Sequence, residues 1–357
     1  MRWRLNHTPE GACVFLTDDG LCRIHAKFGE EAKPLACRVY PYAFHPAPKG
    51  RIAVSLRYSC PSVIANRGAT PQESSAEIQR IAREVVLVDP RQIPPPAISS
   101  HQRLGWNEVE GVLKHLDVSF VDSETPFLRR LLAAIFWVSL LDQAKLENFT
   151  ESRFEELLSL IQQAALGEVP TDLDEFDEPT RAGRLMFRLT VGQYARLETV
   201  ADLDHPWRAR WRNVLGISQM SRGKGLLPSF RPELKPIPFE TLEQPFGWPD
   251  AADELLTRYM RTKIGGMHFC GPAFYNRPVT EGFFALALMV PISLYLARWI
   301  ASGEKWAKIS DEDLQRALAM ADHHHGYSPA LDGRAAAQRV RILAQGDLPK
   351  LCVHYAK

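Results

Sequence analysis

Residues 283–297 read FFALALMVPISLYLA, and the role of this run decides the fold. It is the chain's best candidate for a membrane span. A span needs about 20 consecutive apolar residues to cross a hydrocarbon layer ~30 Å thick. This run is shorter, and Pro291 interrupts it. The reading that fits is a helix buried in a protein core.

Working outward, helical spacing dominates. Apolar periodicity predicts helices near 106–117, 125–147, 151–167, 179–200 and 206–217, then near 250–264, 280–301, 310–323 and 330–345. Within 125–147, Leu128, Leu131, Leu132, Ile135, Phe136 and Leu140 share one broad face, as a core-facing helix requires. The segment SDEDL at 310–314 starts a helix, with Ser310 as N-cap and Asp313 three residues on. Trp106, Trp137, Trp207, Trp211, Trp248, Trp299 and Trp306 are spread along this body and read as packing residues.

Nearer the N-terminus, PQESSAEIQRIAREVVL (71–87) has helical spacing at Ile78, Ile81, Ala82 and Val85. Two proline-rich stretches, DPRQIPPPAISS (89–100) and residues 222–249, read as linkers. The expected organisation is a cysteine-rich metal-binding domain (1–70), a helical domain (71–221), a Pro/Gly-rich linker (222–249) and a helical C-terminal part packed on the body (250–357). The fold class is α+β: a small cysteine-rich head with a short β-hairpin, on a mostly α-helical body.

With 357 residues, a net charge of +1, 45% hydrophobic and 24% charged residues, the composition is that of a soluble globular protein. No global field favours nucleic acid or an anionic membrane, so neither is an expected partner. The opening MRWRLNHTPEG lacks the apolar region of a signal peptide. The expected compartment is the cytoplasm, where thiols stay reduced.

The first sixty residues have a different texture. Of the chain's six cysteines, Cys13, Cys22, Cys37 and Cys60 all fall here. CVFL and LCRI flank the turn sequence TDDG, which predicts a hairpin over 11–24 with Cys13 and Cys22 near each other and Gly20 free to take positive φ. HAKFGEEAKP holds a helical turn ended by Gly29 or Pro34, and CRVYPYAF is extended before Pro41. RIAVSLRYSCP alternates as a strand, placing Cys60 at its end just before Pro61. All four thiols are thus expected at turns or strand ends.

Clustered cysteines in a reducing compartment read as a metal or catalytic site rather than a disulfide frame. The spacing Cys-x8-Cys-x14-Cys-x22-Cys has neither the C-x2-C knuckles of zinc ribbons nor the tight runs of bacterial ferredoxins. Residues 1–60 carry nine Lys/Arg against five Asp/Glu, with Arg23 and Arg38 directly after cysteines, where cations would favour thiolates. Buried free cysteines are the alternative. Zinc and iron–sulfur clusters both accept four thiolates. His25 and His45 are candidates to replace a cysteine at zinc, although exposed histidines are the simpler reading.

Elsewhere, His323, His324 and His325 offer one ligand or a general base, against the favoured reading of an exposed helix end. MHFCGPAFYN (267–276) brings His268, Cys270 and Tyr275 either to a pocket facing the cysteines or, the favoured reading, to a half-buried loop packed by aromatics. Cys352 reads as structural. SRGKGLLP (221–228) lacks the spacing of a phosphate loop. There is no glycine-rich turn of a methyl-donor fold and no Cys-x3-Cys-x2-Cys run.

CVFLTDDGLCRIHAKFGEEAKPLACRVYP followed by VSLRYSCP resembles the cysteine-cluster family of zinc- or iron-chelating domains. Within that family the likeness is to the flagellin lysine-N-methylase group. It rests on Cys13, the apolar triplet Val14–Leu16, Asp19-Gly20, Cys22, Gly29-Glu30, Cys37, Tyr40-Pro41 and Ser59-Cys60-Pro61, and spans about residues 11–64. LLTRYMRTKI and ISDEDLQRAL in the body have a looser likeness. The family's upstream cysteine segment, with its adjacent Cys-Cys pair, has no counterpart before Cys13. The resemblance implies Cys13, Cys22, Cys37 and Cys60 as ligands to a [4Fe–4S] cluster, with Zn²⁺ as the alternative. It also implies methyl transfer to protein lysine, with S-adenosylmethionine as donor and a protein as substrate or partner. A non-catalytic, zinc-stapled interaction module is the competing expectation.

Overall fold

The structure is a computed structural model that describes residues 6–8, 12–146, 150–197 and 205–357. In chain order its elements are α1 (Arg23–Phe28), α2 (Leu35–Val39), β1 (Tyr42–Pro46), β2 (Ile52–Leu56), α3 (Pro61–Ile64), α4 (Ser75–Val85), α5 (Trp106–Val118), α6 (Phe127–Gln143), α7 (Glu151–Glu168), α8 (Arg181–Tyr194), α9 (Pro206–Arg222), α10 (Ala252–Gly265), α11 (Val279–Ala287), α12 (Met289–Gly303), α13 (Asp311–His324), α14 (Pro329–Asp332), α15 (Arg334–Ala344) and α16 (Asp347–Ala356). The chain is α+β: mostly helical, with one two-stranded antiparallel sheet among the described residues.

The apolar run is core. The segment Val279–Gly303 is long and apolar enough to cross a membrane, and its most apolar window is wholly buried inside the protein. It is divided at Leu288 into α11 and α12 rather than forming the single expected helix. Pro291 explains the division. It stands in the first turn of α12, where a missing N–H leaves no hydrogen bond unmade. Around α12 pack α13, α16, α11 and α8. Arg298, one residue past the apolar run, is buried and donates to the carbonyls of Leu242, Gln244, His354 and Lys357. That fourfold satisfaction offsets the cost of burying a guanidinium.

The helices expected at 106–117, 151–167, 250–264 and 310–323 form within a few residues of those bounds. Ser310 and Asp313 make a reciprocal capping box. The last positions of the 125–147 and 179–200 expectations lie outside the described residues. Helix α16 was not anticipated. The expected linkers are stitched into the body. Ile98 is buried, and the carbonyls of Ala97 and Ile98 accept from the N–H groups of Val279 and Thr280. Leu227, Leu234, Phe239, Leu242 and Phe246 of the 222–249 segment are also buried. One hydrophobic cluster takes in residues from Ala47 to Tyr355.

The hairpin is not where the turn signal suggested. TDDG does form a tight turn, with Gly20 at φ 78°. The segment around it has isolated bridges, Leu16 with Cys22 and His7 with Cys13, instead of a paired ladder. The sheet is β1–β2, in register from Tyr42 opposite Leu56 to Pro46 opposite Ile52. The alternation in β2 holds, yet both faces are covered. Ile52 and Val54 pack with Phe44, Ile78, Ile81 and Ala82 of a small second core beneath α4. Ser55, on the other face, is fully buried and donates to the Thr262 carbonyl of α10.

Candidate metal centre

Cys13, Cys22, Cys37 and Cys60 are all free thiols and all half-buried. Cys22 is the N-cap of α1 and Cys60 the N-cap of α3, while Cys37 lies within α2 and not at a turn. Burial pushes the Cys37 thiol pKa up, and so do the neighbouring Cys13 and Cys22 thiols; Lys33 opposes them. Three of the four sulfurs are therefore electrostatic neighbours. Cys60 is a neighbour of Tyr40, whose hydroxyl pKa is raised mainly by burial, with a smaller contribution from Cys60. Among the described residues no group of three or more His, Cys, Asp or Glu side chains is close enough to enclose a metal ion. The donor chemistry fits a thiolate site, but only Cys13, Cys22 and Cys37 neighbour one another, while Cys60 stands beside Tyr40.

The surroundings of these thiols are unusual for a folded segment. Not one residue from 12 to 42 is buried. Leu21 and Phe28 are each 65% exposed, and neither α1 nor α2 carries a buried side chain. Ion pairs tie the segment to α4: Arg38 is bidentate on Glu84, and Arg80 meets Glu30 at 2.8 Å. Such surface pairs contribute little to stability. Arg38 is thus engaged by a carboxylate, and Arg23 reaches the Val14 carbonyl, so neither is directed to the thiols as charge had suggested.

Directly behind Cys60 lies a polar core. Lys263 and Asp322 form an ion pair at 2.7 Å with both side chains fully buried. Lys263 Nζ also donates to the Leu56 carbonyl (3.1 Å) and to His268 Nδ1 (3.3 Å), which uses all three ammonium protons. Asp322 accepts from Tyr259 OH on Oδ1 and from the Ser59 backbone N–H on Oδ2. Tyr58 OH meets Thr262 Oγ1 at 3.2 Å. The Arg57 guanidinium lies 4.1 Å from the Tyr327 ring centroid. Residues 56–59, immediately before Cys60, are therefore bolted to α10 and α13 by backbone and side chain together.

Buried histidines line the same region. The His45 and His268 rings are 4.8 Å apart, and His268 packs edge-on against Tyr327. Because His268 Nδ1 accepts from Lys263, the network assigns its proton to Nε2, which has no partner. Burial, reinforced by Lys263, drives the His268 and His325 pKa values well below the ordinary imidazole value and lowers His45 to about 4. His324 falls to about 4, chiefly through burial, and its Nε2 meets the Arg196 carbonyl.

Several expectations change here. His25 is exposed as read, but His45 is largely enclosed. His324 and His325 are buried rather than an exposed helix end. His268 and Cys270 are buried in a loop beneath the head whose Pro272 and Asn276 are exposed and whose Tyr275 is half-buried, so the half-buried loop holds, and Cys270 is a core residue whose pKa burial raises to about 12. Cys352 is buried among core residues, as expected. Trp207, Trp211 and Trp306 are more than 60% exposed and do not pack. Lys263 and Asp322 were missed, although their positions carried a signal: each occupies the apolar face of its helix, four residues after Tyr259 and Leu318. Comparison with known protein families, curated proteins and solved structures finds no match.

Proposed function

We propose that the N-terminal segment is a metal-dependent head in which Cys13, Cys22, Cys37 and Cys60 hold a [4Fe–4S] cluster. The observation that carries this reading is the absence of any buried residue from 12 to 42. A segment with exposed apolar side chains, no disulfide and no core of its own needs another cross-link to hold one conformation. Four free thiols within the first sixty residues supply the donors for one, and a site that closes on its metal couples binding to folding. The cluster, when bound, would supply a four-thiolate cross-link and one-electron chemistry. The chain's part is to gather the thiols, with Lys33 favouring the Cys37 thiolate, and to fix the approach to Cys60 through Asp322 and Lys263.

The activity proposed for this assembly is methyl transfer from S-adenosylmethionine to the amine of a lysine in a protein substrate, in the cytoplasm. It is supported by the resemblance of residues 11–64 to the flagellin lysine-N-methylase group. Free thiols persist in that compartment.

The test is a set of single variants isolated without oxygen. Cys13→Ser, Cys22→Ser, Cys37→Ser and Cys60→Ser should each lower bound metal, while Cys270→Ala should not. Wild-type protein that is colourless and binds zinc would replace this reading with a zinc-stapled interaction module. Metal content unchanged by Cys37→Ser would remove the ligand assignment altogether.

A further inference from the structure

We infer that the outward face of α9 docks the protein on an anionic lipid bilayer. Trp207, Trp211, Val214 and Leu215 are all more than half exposed on this one helix. At about 100° per residue they fall within an arc of roughly 100°. Arg210 lies on one flank of that arc and Arg208 and Arg212 on the other, with the Arg208 guanidinium 5.2 Å from the Trp207 ring centroid. Pro206–Arg222 contains four arginines and no acidic residue, and Lys224 follows. The net charge of +1 averages this concentration away, which is why whole-chain composition argued against a membrane.

The opposite face of α9 is fixed to the body. Met220 is fully buried, and Gly216 lies so close beneath the Phe230 ring that a Cβ there would come within 2.4 Å of it. The helix therefore presents its two indoles and two aliphatic side chains from a rigid base. Indole rings favour the headgroup level of a bilayer, and arginines on both flanks find phosphates whatever the rotation of the helix. A nucleic acid would stack on the indoles and leave Val214 and Leu215 unused. An acidic protein would have to place carboxylates on both flanks of the ridge at once. A fluid anionic surface meets all of these requirements together.

The full-length protein should co-sediment with phosphatidylcholine vesicles containing roughly 30% phosphatidylglycerol and not with pure phosphatidylcholine, and high salt should release it. Trp207→Ala/Trp211→Ala should abolish the partition with the circular dichroism spectrum unchanged, since both rings are exposed. Arg208→Gln/Arg210→Gln should weaken it by roughly twenty-five-fold, about fivefold for each charge near the surface. The inference is overturned if wild type ignores the anionic vesicles, or if the double tryptophan variant binds them equally well. It is also overturned if the wild type is a dimer that the tryptophan pair converts to monomer, because the face then serves a second copy.

Discussion

At the scale of single residues, the Lys263–Asp322 pair shows how a polar interior is held together. Both side chains are fully buried, and every donor and acceptor on them has a partner. Removing one partner leaves an uncompensated charge, so Asp322→Ala should destabilise the protein by about 3–5 kcal/mol in a denaturant melt. The double replacement Lys263→Met/Asp322→Leu should cost markedly less, because no buried charge remains. The histidines give a pH signature. His324 is lowered to about 4 in the folded state, mainly by burial, so below the ordinary value of 6.5 the unfolded chain binds the proton first. Stability is therefore complete above pH ~6.5 and falls as pH drops towards the folded value, by up to ~1.4 kcal/mol per pH unit for each such residue. His45 adds to this in the same direction. Equilibrium unfolding measured across pH 7 to 4 should show the fall, and His324→Gln should reduce its slope. Sequence periodicity could have flagged Lys263 and Asp322, since a charge on a helix's apolar face must find a partner inside. It could not pair them, because the partners lie 59 residues apart on different helices.

At the scale of elements, docking of the hairpin on α10 decides where the head sits. Gly266 closes α10 directly against Ser55: a Cβ there would lie 2.4 Å from the Ser55 Cβ and 2.8 Å from its Cα. A backbone atom cannot step aside as a long side chain can. Gly266→Ala should destabilise the protein by about 1–3 kcal/mol, and limited proteolysis should then cut first within 42–60. The strand at 52–56 was legible because Ile52, Val54 and Leu56 alternate against Arg51, Ser55 and Arg57. The misplaced hairpin at 11–24 shows the limit of turn chemistry. TDDG makes its turn, but CVFL and LCRI have no third surface to cover them and do not extend into a ladder. Tyr42–Pro46 does extend, because it pairs with β2 in a sheet that α4 covers on one face and meets α10 through Ser55 on the other.

At the scale of the whole molecule, two unequal parts share one chain. The body has a continuous core built around α12, and the FFALALMVPISLYLA run was readable as its centre from length and Pro291 alone. The linkers were not readable as core, since proline density marks a break in helix without saying whether the break is buried. Residues 12–42 of the head include no buried residue, and on the present account a metal stands in for a core. Chelation should therefore expose residues 12–40 to protease while the helical signal of the body persists. The most direct measurement is iron, zinc and acid-labile sulfide in the full-length protein isolated without oxygen, with its absorption spectrum. The account predicts a brown protein absorbing near ~400 nm, with iron and sulfide in equal amounts and both lost in Cys37→Ser. A colourless protein without stoichiometric metal would contradict it.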